Sequence, residues 1–203
     1  IAEQKQEKSK RAPAFVPAGQ TTQLIVGASG ESDRDILRLT EGLYRVAKLK
    51  RVYYSAYVPV MAGKNLPVIA RPPLLRENRL YQADWLLRYY GFSAEEILTE
   101  KEPDFDTDLD PKSCWAMRHR DLFPVEINRA SYEMILRVPG IGVTSARRIV
   151  RMRRNQLISP EDVKRAGAVW KRARHFVTCC GRYDGMGDAD TGNLRKALLS
   201  KRA

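Results

Sequence analysis

The residue types best suited to chemistry lie in the segment VPGIGVTSARRIV, which runs from Val138 to Val150. Its glycines, Gly140 and Gly142, have no Cβ, so another molecule can approach the backbone closely there. The N–H groups of such a turn and of the next helix's first turn lack intrahelical partners and lie at the positive end of the helix dipole. Two arginines follow a few residues later. This combination predicts a site for a phosphate group.

Each member of the segment has an expected role. Backbone N–H donors, hydroxyl groups and guanidinium groups would contact phosphate, and an isoleucine would act as an apolar plug that fixes the turn onto its own helices. The donors are Gly140, Gly142 and Val143, the hydroxyls are those of Thr144 and Ser145, the charges are those of Arg147 and Arg148, and the plug is Ile141.

Two helices must position this turn. The first is predicted to begin after an N-cap at Asn128 and to end at Pro139 and Gly140, since proline and glycine both terminate helices. The second is predicted from the apolar spacing of Val143, Ala146 and Ile149. The segment is therefore expected to form a helix, a tight hairpin and a second helix.

The same pattern recurs 27 residues later, where Gly140 falls on Gly167 and Ala146 on Ala173. Such repeats favour paired units that bury a face together. Val169 stands where the second glycine should be, so we expect the backbone of this copy to be less approachable. The side chains of Lys171, Arg172 and Arg174 could still reach phosphate. Ser159 and Pro160 are the expected N-cap and first residue of its first helix.

On these residues the segment resembles a helix-hairpin-helix DNA-binding motif. The resemblance implies contact with the sugar-phosphate backbone of DNA without reading of bases. The charge distribution agrees, since the net charge is +12 and residues 126–182 hold 13 Lys or Arg against 4 Asp or Glu. The predicted DNA-binding unit thus carries most of the positive excess.

The region before it predicts a strand, a helix and a strand. TTQLIVGA and RVYYSAYVPV read as strands, and the helix between them is expected to begin at Ser29 or Ser32. Short links between these elements imply a right-handed parallel unit. Because parallel sheets are buried on both faces, further strands are expected ahead of Ile1, and the lack of an initial methionine predicts a piece of a longer chain.

From about Phe15 to Tyr183, including RPPLLRENRLYQADWLLRYYGF, the chain is similar to the C-terminal half of radical S-adenosylmethionine (SAM) proteins assigned to DNA modification or repair. The resemblance implies the end of a biotin synthase-like barrel, with SAM and a [4Fe-4S] cluster as cofactors of the full-length protein. This chain has no CxxxCxxC motif, so alone it is expected to hold neither. Residues implied near the cofactor, at the ends of barrel strands, are Gln23, Gly27, Ser55 and Ala56.

That cofactor assignment has an alternative. The family's GxIxGxxE motif is met at Ile25 and Gly27, but Gln23 replaces its first glycine and Glu31 comes one residue late. The four residues could equally serve only to pack the barrel.

The predicted fold class is α/β plus all-α: the C-terminal βαβ portion of a partial TIM-type radical SAM barrel, followed by a helical tandem helix-hairpin-helix domain. The predicted divisions are a basic arm at 1–14, the barrel portion at 15–70, a helical connector with an acidic loop at 71–125, the tandem domain at 126–183 and a flexible basic tail at 184–203.

Other chemistry is disfavoured. GASGES, at 27–32, has no lysine for a P-loop, and the acidic stretch at 104–110 lacks the glycine and glutamate of a calcium loop, so an acidic linker is the better account. Cys114, Cys179 and Cys180 lack metal or disulfide spacing, and His119 and His175 lack catalytic partners in sequence. No apolar run suggests a membrane span, so a cytoplasmic protein is expected.

Three functions remain. The first is the DNA-binding end of a radical SAM enzyme, the second is a stand-alone non-enzymatic DNA-binding module, and the third is a purely structural helical domain. DNA is the expected partner, and other DNA-repair proteins are further candidates.

Overall fold

The computed structural model describes residues 17–61, 66–67, 71–186 and 191–199. The chain divides into two compact units. The first contains Ile1–Asp84 and Leu98–Phe105, and the second contains Trp85–Ile97 and Asp106–Ala203. The predicted basic arm at 1–14 lies outside the described residues.

The first unit contains the predicted strand, helix and strand, which are β1 (Thr21–Val26), α1 (Asp33–Arg45) and β2 (Arg51–Ala56). The two strands pair in parallel over all six residues of each, which confirms the parallel arrangement. Helix α1 begins at Ser32, whose hydroxyl accepts a hydrogen bond from the Asp35 N–H in a capping box. One of the two predicted caps is therefore confirmed.

The core of this unit lies between the strand pair, α1 and the beginning of α2 (Leu74–Tyr89). The Tyr81 hydroxyl donates to the carbonyl oxygen of Tyr54 and accepts from its N–H, both at 3.0 Å, so α2 is fixed to β2. The buried residues of the core are Val26, Ile36, Val52, Tyr54 and Leu80.

Fold class agrees with prediction at the coarse level, since the described residues form a mixed α/β structure with helices and two small sheets. The strands they contain close no barrel. None of the described helices is both long and apolar enough to cross a membrane.

The second unit is mainly helical, but the prediction of an all-α part is wrong, because three short strands within it pair with one another into a small sheet. Helix α2 ends before Gly91, which has a φ of +70°. The elements that follow are α3 (Ala94–Ile97), α4 (Pro111–Arg118), a 3-10 helix (Arg120–Leu122), β3 (Val125–Glu126), α5 (Tyr132–Arg137), α6 (Val143–Met152), α7 (Pro160–Arg165), α8 (Trp170–Ala173), β4 (Val177–Cys179), β5 (Arg182–Tyr183) and α9 (Thr191–Leu199). Strands β3, β4 and β5 form a sheet in that order, with β3 parallel and β5 antiparallel to β4.

The acidic stretch before α4 makes ordered contacts. Asp110 is the N-cap of α4 and accepts from the Ser113 N–H, with Pro111 in the first turn. Asp106 pairs with Arg195 of α9 at 2.7 Å.

The predicted flexible tail at 184–203 is wrong over residues 191–199, which form α9. Leu194 and Leu198 are each 3% exposed, and the helix packs near α8. Their i, i+4 spacing gives this basic segment an apolar stripe, and burial of that stripe outweighs the tendency of its charged residues to stay in solvent.

Candidate nucleic-acid interface

The first helix of the candidate site is α5, and its N-cap is Ser131, whose hydroxyl accepts from the Met134 N–H at 3.2 Å. The prediction of Asn128 as the cap is wrong. Its side chain instead bonds the backbone of Ile158, accepting from the N–H at 2.7 Å and donating to the carbonyl oxygen at 3.2 Å. A long-range contact therefore uses the side chain that the sequence pattern assigned to local capping.

The hairpin after α5 is held from within. Gly140 has a φ of +86°, in the left-handed region that favours glycine. Ile141 is 1% exposed, and its N–H donates to the carbonyl oxygen of Val138 at 3.1 Å. The chain then enters α6 through Gly142, whose φ and ψ of −91° and 171° are ordinary extended values. The two glycines of one tripeptide thus differ in backbone conformation.

The second hairpin follows α7, which begins with Ser159 as N-cap and Pro160 in its first turn, as predicted. From cap to glycine, however, the first copy has one residue more, since Ser131 precedes Gly140 by nine positions and Ser159 precedes Gly167 by eight. The shift of 27 residues therefore relates the two copies from the glycine onward, but it does not extend back to their N-caps.

The two hairpins pack against each other in a reciprocal way. The Val169 N–H donates to the carbonyl oxygen of Gly140 at 2.8 Å, and a Cβ at Gly140 would lie 3.1 Å from that of Arg172. In the other direction, a Cβ at Gly167 would lie 3.4 Å from the Ser145 Oγ. Ser145 and Arg172 are themselves 27 residues apart, the same shift that relates the glycines. Each glycine is thus packed against the equivalent helix start of the other copy.

The second hairpin leads into a much shorter helix. Helix α8 has four residues against ten in α6, and Val169 at its N-cap is 45% exposed. A short helix has a weak dipole, and the valine side chain stands where a ligand would approach the backbone. Of the two copies, only the first retains the open backbone and the longer helix.

The start of α6 lies next to the side chain of Tyr90. Burial raises the pKa of the Tyr90 hydroxyl, and the nearby Val143 N–H acts in the opposite direction. The same hydroxyl oxygen would lie 3.6 Å from a Cβ at Gly142. The Tyr90 hydroxyl therefore lies close to the predicted donors Gly142 and Val143. The N–H groups of the other first-turn residues have no partner within an α-helix.

The two hydroxyl groups predicted to contact phosphate differ in exposure. Thr144 is exposed, but Ser145 is 6% exposed and faces Gly167 of the second hairpin. The structure thus places Thr144 at the surface of the site and Ser145 in the packing between the hairpins.

The basic side chains of α6 lie at the surface. Arg147 and Arg148 are exposed, and Arg148 also donates to the carbonyl oxygen of Ala166 at 3.3 Å. Arg151 and Arg154 continue at helical spacing from Arg147 and share a surface depression with it. These two were not among the site residues expected from the sequence, although their spacing of four and seven residues was a usable signal.

Side chains of the second copy are less available. Lys171 is exposed, and the Arg174 Nε donates to the carbonyl oxygen of Asp184 at 2.8 Å. Arg172 pairs with Asp110 at 3.0 Å. Arg174 and Arg172 therefore have protein partners that a phosphate would need to displace or share.

One residue outside the hairpin contacts it and was not expected from the sequence. Lys112 of α4 is 8% exposed, and its ammonium group donates to the carbonyl oxygen of Ile141 at 2.6 Å. The same Nζ lies 4.7 Å from the centroid of the Tyr90 ring. Burial lowers the pKa of Lys112 to about 7, and the carboxylate of Asp110 offsets part of this effect. No spacing in the sequence connects Lys112 to a turn 29 residues away.

The residues assigned to a cofactor lie on the strand pair of the first unit. Gly27 (φ +83°) and Ala56 are at the carboxyl ends of the strands, and the Ala56 N–H donates to Glu77 Oε2 at 2.7 Å. Gln23 lies within β1 and pairs with Tyr53 of β2. Because side chains alternate between the two faces along a strand, Ser55 lies on the same sheet face as Tyr53 and therefore as Gln23. The structure therefore brings these residues onto two strands but not to a single point.

Comparisons of the chain with protein-family models, with curated proteins and with solved structures found no match. Function is therefore inferred from the geometry of the two units.

Proposed function

We propose that the second unit binds the sugar-phosphate backbone of double-stranded DNA, with little preference for base sequence. The contact is made by the hairpin 139–142 and the first turn of α6, as a helix-hairpin-helix motif would make it. Exposed Arg147 and Arg148 add charge next to this turn. Phosphate contacts position a protein on DNA without specifying sequence, which is why we expect little base preference.

The observation that carries the proposal is the surroundings of Gly142. Its backbone conformation is open to any residue, and a Cβ there would meet, among the described residues, only the Tyr90 hydroxyl in ordinary contact. Neither strain nor crowding therefore requires glycine. A glycine without an internal need, at the N-terminus of a ten-residue helix with an arginine-rich surface, fits close approach of an external anion.

The basic surface supports an extended ligand. Arg151 and Arg154 continue from Arg147 along one side of α6 and its C-terminal turn. A DNA backbone carries phosphates at regular intervals, so it can meet the hairpin and these side chains in succession. A single small anion would use only the hairpin.

The test is fluorescence anisotropy of the protein with a labelled duplex over a series of salt concentrations. We expect Gly142→Val, which copies Val169 of the second hairpin, to weaken binding by about tenfold or more, because removal of one phosphate from the hairpin is comparable to removal of a few charged hydrogen bonds. The salt slope should fall by about 0.9 for each phosphate that the variant no longer binds. Because Gly142 is not strained, the variant should remain folded.

A matched control is Gly42→Ala, a glycine within α1 that also has open space around its Cβ. This variant should bind DNA as the wild type does. Equal binding by wild type and Gly142→Val, or no binding by the wild type, would contradict the proposal and favour a purely structural helical unit.

A second candidate concerns the first unit, as the end of a radical SAM barrel. The sheet face opposite the α1 core carries Gln23, Ile25, Tyr53 and Ser55, and Ile25 and Tyr53 are 45% and 42% exposed. A mixed polar and apolar face of this kind fits the interior of a larger barrel better than a surface. SAM and the cluster would supply the radical chemistry, and the protein would supply binding and orientation.

Among the described residues there is no group of three or more His, Cys, Asp or Glu side chains able to hold a metal ion. The coding sequence ahead of Ile1 tests the candidate. A CxxxCxxC motif followed by alternating strands and helices would support it, and a start codon at that position would contradict it.

A further inference from the structure

We infer that Lys112 is a positioning residue for DNA binding, which orients the Ile141–Gly142 peptide and takes up a proton when a phosphate binds at the hairpin. This inference rests on the proposed DNA-binding function. It adds a residue from outside the hairpin and a dependence on pH.

The first step is geometric. The Lys112 Nζ donates to the Ile141 carbonyl oxygen at 2.6 Å, from a side chain that is buried beneath the hairpin. In a trans peptide the C=O and the following N–H point in opposite directions. With the Ile141 C=O held toward Lys112, the Gly142 N–H points away from Lys112. The ammonium therefore fixes the orientation of the donor at the glycine that the proposed function depends on.

The second step concerns polarity. A hydrogen bond from a charged donor to a carbonyl is stronger than one between neutral groups. Such a bond also polarises the peptide and strengthens the donor on its other side. The charged form of Lys112 is thus expected to make the Gly142 N–H a better donor to phosphate than the neutral form does.

The third step is the charge balance around Lys112. Asp110, at the start of α4, is the carboxylate that acts on it, and Asp110 is also bonded to Ser113 and paired with Arg172 of α8. The ring of Tyr90 lies on another side of the ammonium group. The pKa of Tyr90 is raised by burial and, to a smaller extent, by Tyr132 of α5. Because Asp110 is shared with Arg172, it compensates the buried ammonium only in part.

The consequence is that Lys112 titrates near neutrality, since burial lowers its pKa to about 7. A phosphate at the hairpin favours the charged form and raises this pKa in the complex. Protons then bind more strongly to the complex than to the free protein. Affinity for DNA must accordingly be highest at low pH and fall as the pH rises through the pKa of the free protein.

The experiment measures Kd for a labelled duplex between pH 6 and 9 at constant ionic strength. For the wild type we expect Kd to rise by up to about tenfold between pH 6.5 and 8.5. This limit corresponds to a rise of about one unit in the pKa of Lys112 when the phosphate binds. Lys112→Gln keeps an N–H donor without the charge, and Lys112→Met removes both. Both should bind weakly at pH 6.5, with Kd independent of pH.

The control is Lys171→Gln, which removes one positive charge from an exposed position of the second copy. It should keep the wild-type dependence on pH. Circular dichroism melting at each pH shows which variants are folded. If Lys112→Met does not fold, Lys112→Gln and the wild-type profile still decide the matter.

The outcomes separate the two claims. Wild-type binding with a Kd that does not change with pH, or Lys112→Gln with the wild-type profile, overturns the role of Lys112 and leaves the DNA-binding proposal intact. No wild-type binding at any pH overturns both. A wild-type profile that is lost in the Lys112 variants and kept in Lys171→Gln supports the inference.

Discussion

At the scale of single residues, the two glycines of the hairpin have different reasons to be glycine. Gly140 has a left-handed φ, and a Cβ there would lie 2.6 Å from the carbonyl oxygen of Val169. Gly142 has neither constraint. The sequence pattern indicated both positions but not the difference between them, because that difference depends on the packing of the second hairpin against the first.

This difference predicts the stability of two alanine variants. Gly140→Ala combines left-handed strain with a clash against backbone, so the free energy of unfolding should fall by about 3 kcal/mol or more. Gly91→Ala is the matched control, since Gly91 has a φ of +70° but no atom within 4 Å of its Cβ position. Its cost should be about 1–2 kcal/mol. Urea denaturation measures both, and equal losses would show that Gly140 is not tightly packed.

At the scale of elements, local signals predicted helix starts well. Ser32 and Ser159 cap their helices as expected, because a capping side chain bonds an N–H only two or three residues away. Asn128 shows where such signals fail. Its amide is engaged by Ile158, which is 30 residues away, so the cap passes to Ser131.

The residues of the candidate site also differ in whether the sequence alone could identify them. Its glycines and the exposed Arg147 and Arg148 could be found from the sequence, since they lie within one short segment. The contacts of Lys112 and Tyr90 with the hairpin could not, because they join elements that are distant in sequence.

Helix α9 offers a test at this scale, because one of two neighbouring leucines is buried and the other is exposed. Leu198 is 3% exposed and Leu199 is 37% exposed. Leu198→Ala should lower the free energy of unfolding by about 2–5 kcal/mol, as expected for truncation of a buried leucine. Leu199→Ala should change it by less than about 0.5 kcal/mol. Thermal or urea unfolding of the two variants gives the comparison, and a small effect of both would mean that α9 is not part of the folded unit.

At the scale of the whole molecule, carboxylates secure chain segments that are far apart in sequence. Glu126 of β3 accepts hydrogen bonds from the backbone of Cys180 at 3.1 Å and of Gly181 at 2.8 Å, and from the Thr178 hydroxyl at 3.0 Å. Asp106 similarly pairs with Arg195. Composition showed the excess of positive charge, but it could not show that individual acidic groups hold the second unit together.

These carboxylates predict an acid-sensitive fold. Burial alone would raise the pKa of Glu126, but hydrogen bonds from Gly181, Asn128 and Thr178 outweigh it and lower the pKa to about 2. The hydrogen bond from Arg195 lowers the pKa of Asp106 to about 2 despite its burial. Both groups are therefore more acidic when folded, so their stabilisation is present above about pH 4.5 and is lost as the pH falls toward 2.

The measurement is urea denaturation between pH 2 and 6. Glu126→Gln should be less stable than the wild type at pH 6 and should approach it as the pH falls, because protonation removes the same interaction from the wild type. Asp121→Asn, at an exposed position, is the control and should follow the wild type throughout. A gap between wild type and Glu126→Gln that stays constant with pH would refute the role of the carboxylate charge.

The reciprocal packing of the two hairpins also bears on protein concentration. Val169 supports Gly140 from within the same chain, so the contact that two separate subunits would otherwise have to form is built into one molecule. An interface between subunits is lost on dilution, whereas one within a chain has an effective concentration set by the chain itself. The second copy can therefore lack an open hairpin of its own and still hold the first hairpin in its folded conformation when the protein is very dilute.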